Sequence, residues 1–137
     1  MRQHVLDANA LYRFITGGSG ADLVAGVFRE AKETAGEVTI SVVAWGEVDY
    51  TLIRHIGTAR ADRALEQTLQ LTGLRLVPVD DKDARKAAEL KAKFNIPYAD
   101  AFTAALAGSQ HVVVTADIGH FQRIPKLRIL KLPRHTG

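Results

Sequence analysis

Residues 98–117 read YADAFTAALAGSQHVVVTAD and hold two kinds of patterning. Tyr98 to Ala107 is rich in small residues and reads as a close-packed helix. His111 to Thr115 (HVVVT) is a continuous apolar run with no alternation. Such a run fits a strand covered on both faces, as in parallel sheets flanked by helices. Asp117 lies just past the carboxyl end of that strand, and Asp100 lies in the first turn of the helix before it.

Working outward, strands and helices alternate. Val5 and Leu6 close a short apolar strand that ends at Asp7. Ala8 to Ile15 then reads as a helix, stopped by Gly17-Gly18-Ser19-Gly20. Ala21 to Ala35 carries Leu23, Val24, Val27, Phe28 and Ala31 at helical spacing. Val38 to Ser41 reads as a second strand, Val42 to Ile56 and Thr58 to Leu71 as helices, and Leu74 to Val79 as a third strand. Pro78 marks a sheet edge or a strand end. Asp80 or Asp81 can cap a helix over residues 83–94. Asn95-Ile96-Pro97 is a turn, residues 117–125 form a loop, and Leu127 to Leu132 reads as a last strand. The alternation predicts an α/β fold with a mostly parallel sheet and helices on both faces.

Length and composition narrow the class. The chain has 137 residues, which at about 150 per domain predicts one domain, 1–137. Apolar residues at 47% and charged residues at 24% exclude disorder, a collagen-like repeat and a coiled coil as the main architecture. The absence of cysteine excludes a disulfide scaffold, a thiolate metal site and a cysteine nucleophile. The opening apolar run is broken by Asp7, Asn9 and Arg13, unlike a signal peptide. No run approaches the roughly 18 apolar residues of a membrane span. A soluble, cytoplasmic protein with no membrane partner is the expectation.

The formal net charge is only +3, but no acidic residue follows Asp117. That tail carries Arg123, Lys126, Arg128, Lys131 and Arg134. It suits a polyanion such as nucleic acid, or equally an edge strand guarded by cations.

The acids are more informative. Asp7 and Asp117 both sit at carboxyl ends of strands, where open parallel sheets build their sites. Glu47 lies early in the helix after the second strand, between Trp45 and Val48. Asp100 meets a helix dipole in a helix that otherwise reads as buried. Four carboxylates from four elements can thus gather at one end of the sheet. Two like charges 4 Å apart cost about 4 kcal/mol at an effective dielectric of 20, so such a cluster needs protons or a bridging cation. Oxygen ligands suit a hard divalent ion, and a bound ion suits phosphodiester chemistry. Each acid also has a structural use: Asp7 and Asp100 as helix caps, Glu47 as a solvated helix residue, Asp117 as a turn residue.

The segments VLDANAL, SVVAWGEV, IPYADAFTAALA and VVVTADIGHF resemble, in order and spacing, the four acidic motifs of PIN-domain nucleases, and most of all VapC-type toxins of toxin–antitoxin pairs. The likeness runs from about Val5 to Leu132. It implies a three-layer α/β/α sandwich and a Mg²⁺-dependent endoribonuclease, with Mn²⁺ as the alternative ion. It implies Asp7 and Asp100 as principal metal ligands, Asp117 completing the site and Glu47 supporting it. Asn9 and Thr115 match polar positions that orient the carboxylates, whereas Ala116 departs from the polar residue many relatives carry. The family further implies an RNA substrate, a cognate antitoxin that covers the site, and a homodimer.

Other readings stand beside this one. A PIN-type nuclease could serve RNA processing. A non-catalytic module could bind RNA or a partner through the basic tail. An aspartyl-phosphate enzyme could use Asp7, but Asn9 stands where its second Asp belongs. The histidines His4, His55, His111, His120 and His135 show no HxxxH or HExxH spacing, which excludes the usual zinc hydrolases. His120 follows Asp117 closely and could face phosphate, but reads first as an exposed loop residue; Trp45 could stack on a base, but reads first as packing. The glycines at 17–20 follow a helix and lack a GKS/T ending, so they are not a P-loop.

Overall fold

The computed structural model describes residues 3–134, so His135 lies outside the described residues. Five strands run as β1 (His4–Leu6), β2 (Val38–Ser41), β3 (Arg75–Val77), β4 (Val112–Thr115) and β5 (Arg128–Lys131). Between them lie α1 (Ala8–Thr16), α2 (Ala21–Thr34), α3 (Val42–Ile56), α4 (Thr58–Thr72), α5 (Asp81–Phe94), α6 (Tyr98–Ala107) and α7 (Ile118–Phe121). The sheet order is β3-β2-β1-β4-β5 and each pairing is parallel. The α/β expectation therefore holds, with a sheet that is parallel throughout the described residues.

The helices cover both faces. Leu6, Ile40, Val114 and Leu130 pack with α1 to α4 on one side, around Leu11, Val24, Val48 and Leu65. Val5, Val113 and Ile129 face the other side, against Ala104, Ala107 and Phe121. Helix α6 touches β1, β2 and β4 and so crosses the centre of the sheet, and α3 packs against it. A helix that closes on three strands and a neighbour needs small side chains, which is the physical reason for its alanines. Trp45 is half-buried against the first core, as its spacing indicated.

Local chemistry sets the element ends. Asp80 and Asp83 form a reciprocal capping box, so α5 starts at Asp81, two residues earlier than its apolar pattern suggests. β3 is shorter than the apolar run 74–79, and Pro78, lacking an N–H, lies just past its end on an edge strand. Residues 117–125 are not a plain loop. They contain α7, anchored by the fully buried ring of Phe121.

From β1 the chain builds outward through β2 to β3, then returns to the other side of β1 as β4 and β5. The carboxyl ends of β1 and β4 thus flank the point where the winding reverses, the place where open α/β sheets leave a crevice.

Candidate active site

Asp7 leaves β1 at that crevice and is 4% exposed. Its Oδ1 accepts the Ala10 backbone N–H at 2.8 Å, capping α1. Its Oδ2 accepts the Thr115 hydroxyl at 2.5 Å. The same Thr115 oxygen accepts the Asp117 backbone N–H at 2.8 Å. Thr115 therefore ties the end of β1 to the turn after β4. Burial pushes the Asp7 carboxyl up to about 7, against the two hydrogen bonds that lower it, and the charges of Asp100 and Asp117 push it further up. The structural use foreseen for Asp7 as a cap is real, and it coexists with this buried, electrostatically loaded position.

Asp100 sits in the first turn of α6, but Pro97 occupies the cap position, so Asp100 is no cap. Its carboxyl is raised by burial, an effect opposed by His120 and reinforced by Asp117. Asp117 stands at the start of α7, half-exposed, with no side-chain capping bond. Glu47, on α3, is mostly exposed. Partial desolvation, then the charge of Asp100, raise its carboxyl. Asn9 is exposed on α1 and lines a shallow groove with Glu47, Tyr12 and Thr51. Asp100 and Asp117 come together with His120, Asp7 lies within electrostatic reach of both acids, Glu47 within reach of Asp100, and Asn9 stands apart in the groove beside Glu47.

His120 corrects an expectation. It is not an exposed loop residue: its Nδ1 lies 2.8 Å from Asp100 Oδ2 and 2.9 Å from Asp117 Oδ2. A carboxylate only accepts, so this nitrogen donates the hydrogen bond to Asp100, with Asp117 at ion-pair distance. The turn of α7 carries the imidazole back over the site. The only sequence signal was the three-residue spacing from Asp117, which places both on one side of a helical turn once α7 is known.

Ligand atoms of Asp100, Asp117 and His120 all lie within 4.8 Å of one another, and the buried Asp7 feels the charges of both acids without joining that group. Carboxylate oxygens with one imidazole match a hard or borderline divalent ion. A cation would also relieve the repulsion that raises Asp7 and Asp100. The residues present thus fit a divalent ion.

The domain model that matches this chain is the PIN domain, over residues 4–127. The chain belongs to the PIN domain family. PIN domains are nucleases, and the acidic cluster is this member's candidate for that chemistry. Solved structures similar to this PIN protein include VapBC2 from Rickettsia felis bound to a promoter DNA fragment, with TM-score 0.75, 18% identity and coverage of 95% of this chain and 98% of that one. DNA-bound VapBC from Salmonella typhimurium aligns with TM-score 0.74 and 21% identity, over 96% and 98%. A toxin–antitoxin complex from Klebsiella pneumoniae aligns with TM-score 0.63 and 20% identity, over 93% and 96%. At these identities the likeness is one of fold. No curated protein matches the sequence. Among the described residues, no helix is long and apolar enough to cross a membrane.

Proposed function

We propose that this PIN protein is a divalent-metal-dependent endoribonuclease and the toxin of a VapBC-type pair. The observation that carries the reading is the gathering of Asp100, Asp117 and His120 within electrostatic reach of the buried Asp7, at the switch point of the sheet. The toxin role is supported by the VapBC identity of similar folds and by the four motifs in order. In this reading Asp7, Asp100 and Asp117 hold Mg²⁺ or Mn²⁺, and Glu47 supports them. When bound, the ion supplies an activated water and neutralises charge on the phosphate. Thr115 orients Asp7 and the Asp117 turn, and Asn9 faces the approach beside Glu47. Buried walls around Asp7 exclude bulk water and strengthen each charge interaction. A cognate antitoxin covers the site, the toxin is a homodimer, and it acts in the cytoplasm.

The test is cleavage of total cellular RNA by antitoxin-free protein, in Mg²⁺ or Mn²⁺ against EDTA, beside Asp7→Asn. Fragments that need both the ion and Asp7 are expected. Binding of RNA in EDTA with no cleavage under any ion would instead support a non-catalytic binding module.

A further inference from the structure

Four cations of the basic tail, Arg123, Lys126, Arg128 and Lys131, do not form one patch. Arg123 donates to the carbonyls of Phe94 and Asn95 and so caps the end of α5. Lys126 lies in a groove with Lys86 and Glu89. Arg128 stands at the amino end of β5, beside His4 and Glu30, at the far end of the sheet from the acids. Lys131 is different. It is the register partner of Thr115, the residue bonded to Asp7, and the next residue, Leu132, donates its N–H to the Thr115 carbonyl at 2.8 Å.

Alternation fixes the face as well as the end. Val113 and Ile129 pack toward α6, so Thr115 and Lys131, two residues on, project to that same side. Lys131 therefore stands one strand's spacing, about 4.8 Å between backbones, from Thr115, which bonds both Asp7 and the Asp117 N–H, and on the same side of the sheet. It is exposed, on an edge strand, and makes no ion pair with an acid among the described residues. A carboxylate cluster repels a polyanion. A cation held beside it and left unneutralised draws the backbone in and sets its register.

We propose that Lys131 binds a phosphate of the substrate strand adjacent to the one presented to Asp7, Asp100 and Asp117. This rests on the nuclease reading above. Arg128, at the opposite end of the same strand and on the opposite face, is the internal control, because it serves edge protection as well as Lys131 does.

The experiment has two arms. Binding of a fluorescein-labelled polyuridylate oligomer to the Asp7→Asn protein in EDTA is followed by anisotropy across salt. Loss of one phosphate contact lowers the slope of log K against log salt by about 0.7. That change is expected for Lys131→Ala, not for Arg128→Ala, and Lys131→Arg should restore it. Cleavage by the otherwise unaltered protein forms the second arm. Lys131→Ala should raise KM about ten-fold, the scale of one charge-assisted contact, with kcat retained. Equal slopes for the Lys131 and Arg128 variants would overturn the proposal and leave Lys131 an edge guard. Absence of cleavage by the parent protein would overturn the nuclease reading instead, while the anisotropy arm still decides Lys131.

Discussion

Thr115 donates a hydroxyl hydrogen bond to Asp7 across 108 positions of sequence, at 2.5 Å, and accepts the Asp117 backbone N–H on the same oxygen. One side chain thus couples the buried acid after β1 to the turn that carries the acid after β4. It also offers a hydrogen bond to ionised Asp7, whose burial otherwise favours the protonated acid.

Asp7→Asn should abolish ion-dependent RNA cleavage, by about a thousand-fold or more, yet leave a folded protein, because Asn also caps helices. The stability change has a defined sign. The Asp7 pKa is about 7 in the fold against 3.8 normally, so its contribution is complete below about 4 and is lost as pH rises through 7. In EDTA, Asp7→Asn should gain on the parent between pH 4 and 8, by at most about 4 kcal/mol. Urea melts of both proteins across pH measure this. An unchanging gap would mean that Asp7 titrates normally.

Mg²⁺ should raise the melting temperature of the parent at pH 8 more than at pH 5, since binding the native state stabilises it and needs the ionised carboxylates. Asp7→Asn should blunt that gain. Thermal melts with Mg²⁺ against EDTA at both pH values provide the readout.

Thr115→Val keeps the shape but removes the hydroxyl. It leaves Asp7 Oδ2 and the Asp117 N–H without their partner, at a cost of about 1–3 kcal/mol. The bond it removes favours ionised Asp7, so the Asp7 pKa should climb and the acidic limb of the activity profile should move to higher pH. A pH–rate profile beside a denaturation curve separates this from simple loss of stability.

His120→Ala removes a hydrogen bond and a positive charge that both lower Asp100. Asp100 should then titrate at higher pH than in the parent. NMR titration of the carboxyl carbons in EDTA reads it directly, and an unmoved Asp100 would show that the imidazole is not holding it in solution.

Gly20→Ala should destabilise by about 1–3 kcal/mol, because φ is +88° and the new methyl would lie 3.2 Å from Leu132 Cβ and Pro133 Cδ. Gly18→Ala meets Arg13 at an ordinary 3.6 Å and should be nearly neutral. Paired urea melts check the contrast.

The fold, and the place of Asp7 and Asp117 past strand ends, were legible because both follow from local patterning. HVVVT has no polar face, so it had to lie between two layers, and acids placed directly after such strands had to emerge at their carboxyl ends. Element ends were less legible where short-range polar chemistry prevailed over apolar periodicity, as at Asp80 and Asp83. The contact of His120 with Asp100 and the pairing of Lys131 with Thr115 were not legible. Their roles depend on contacts between segments distant in the chain: α7 turning back over α6, and β5 pairing in one register with β4. Charge and spacing are properties of the chain, but which cation faces which acid is set by strand order and register, and these arise only when the whole core packs. Thus the basic tail, uniform along the sequence, separates in space into an α5 cap at Arg123, a far-end cation at Arg128 and, at Lys131, a cation paired in register with Thr115.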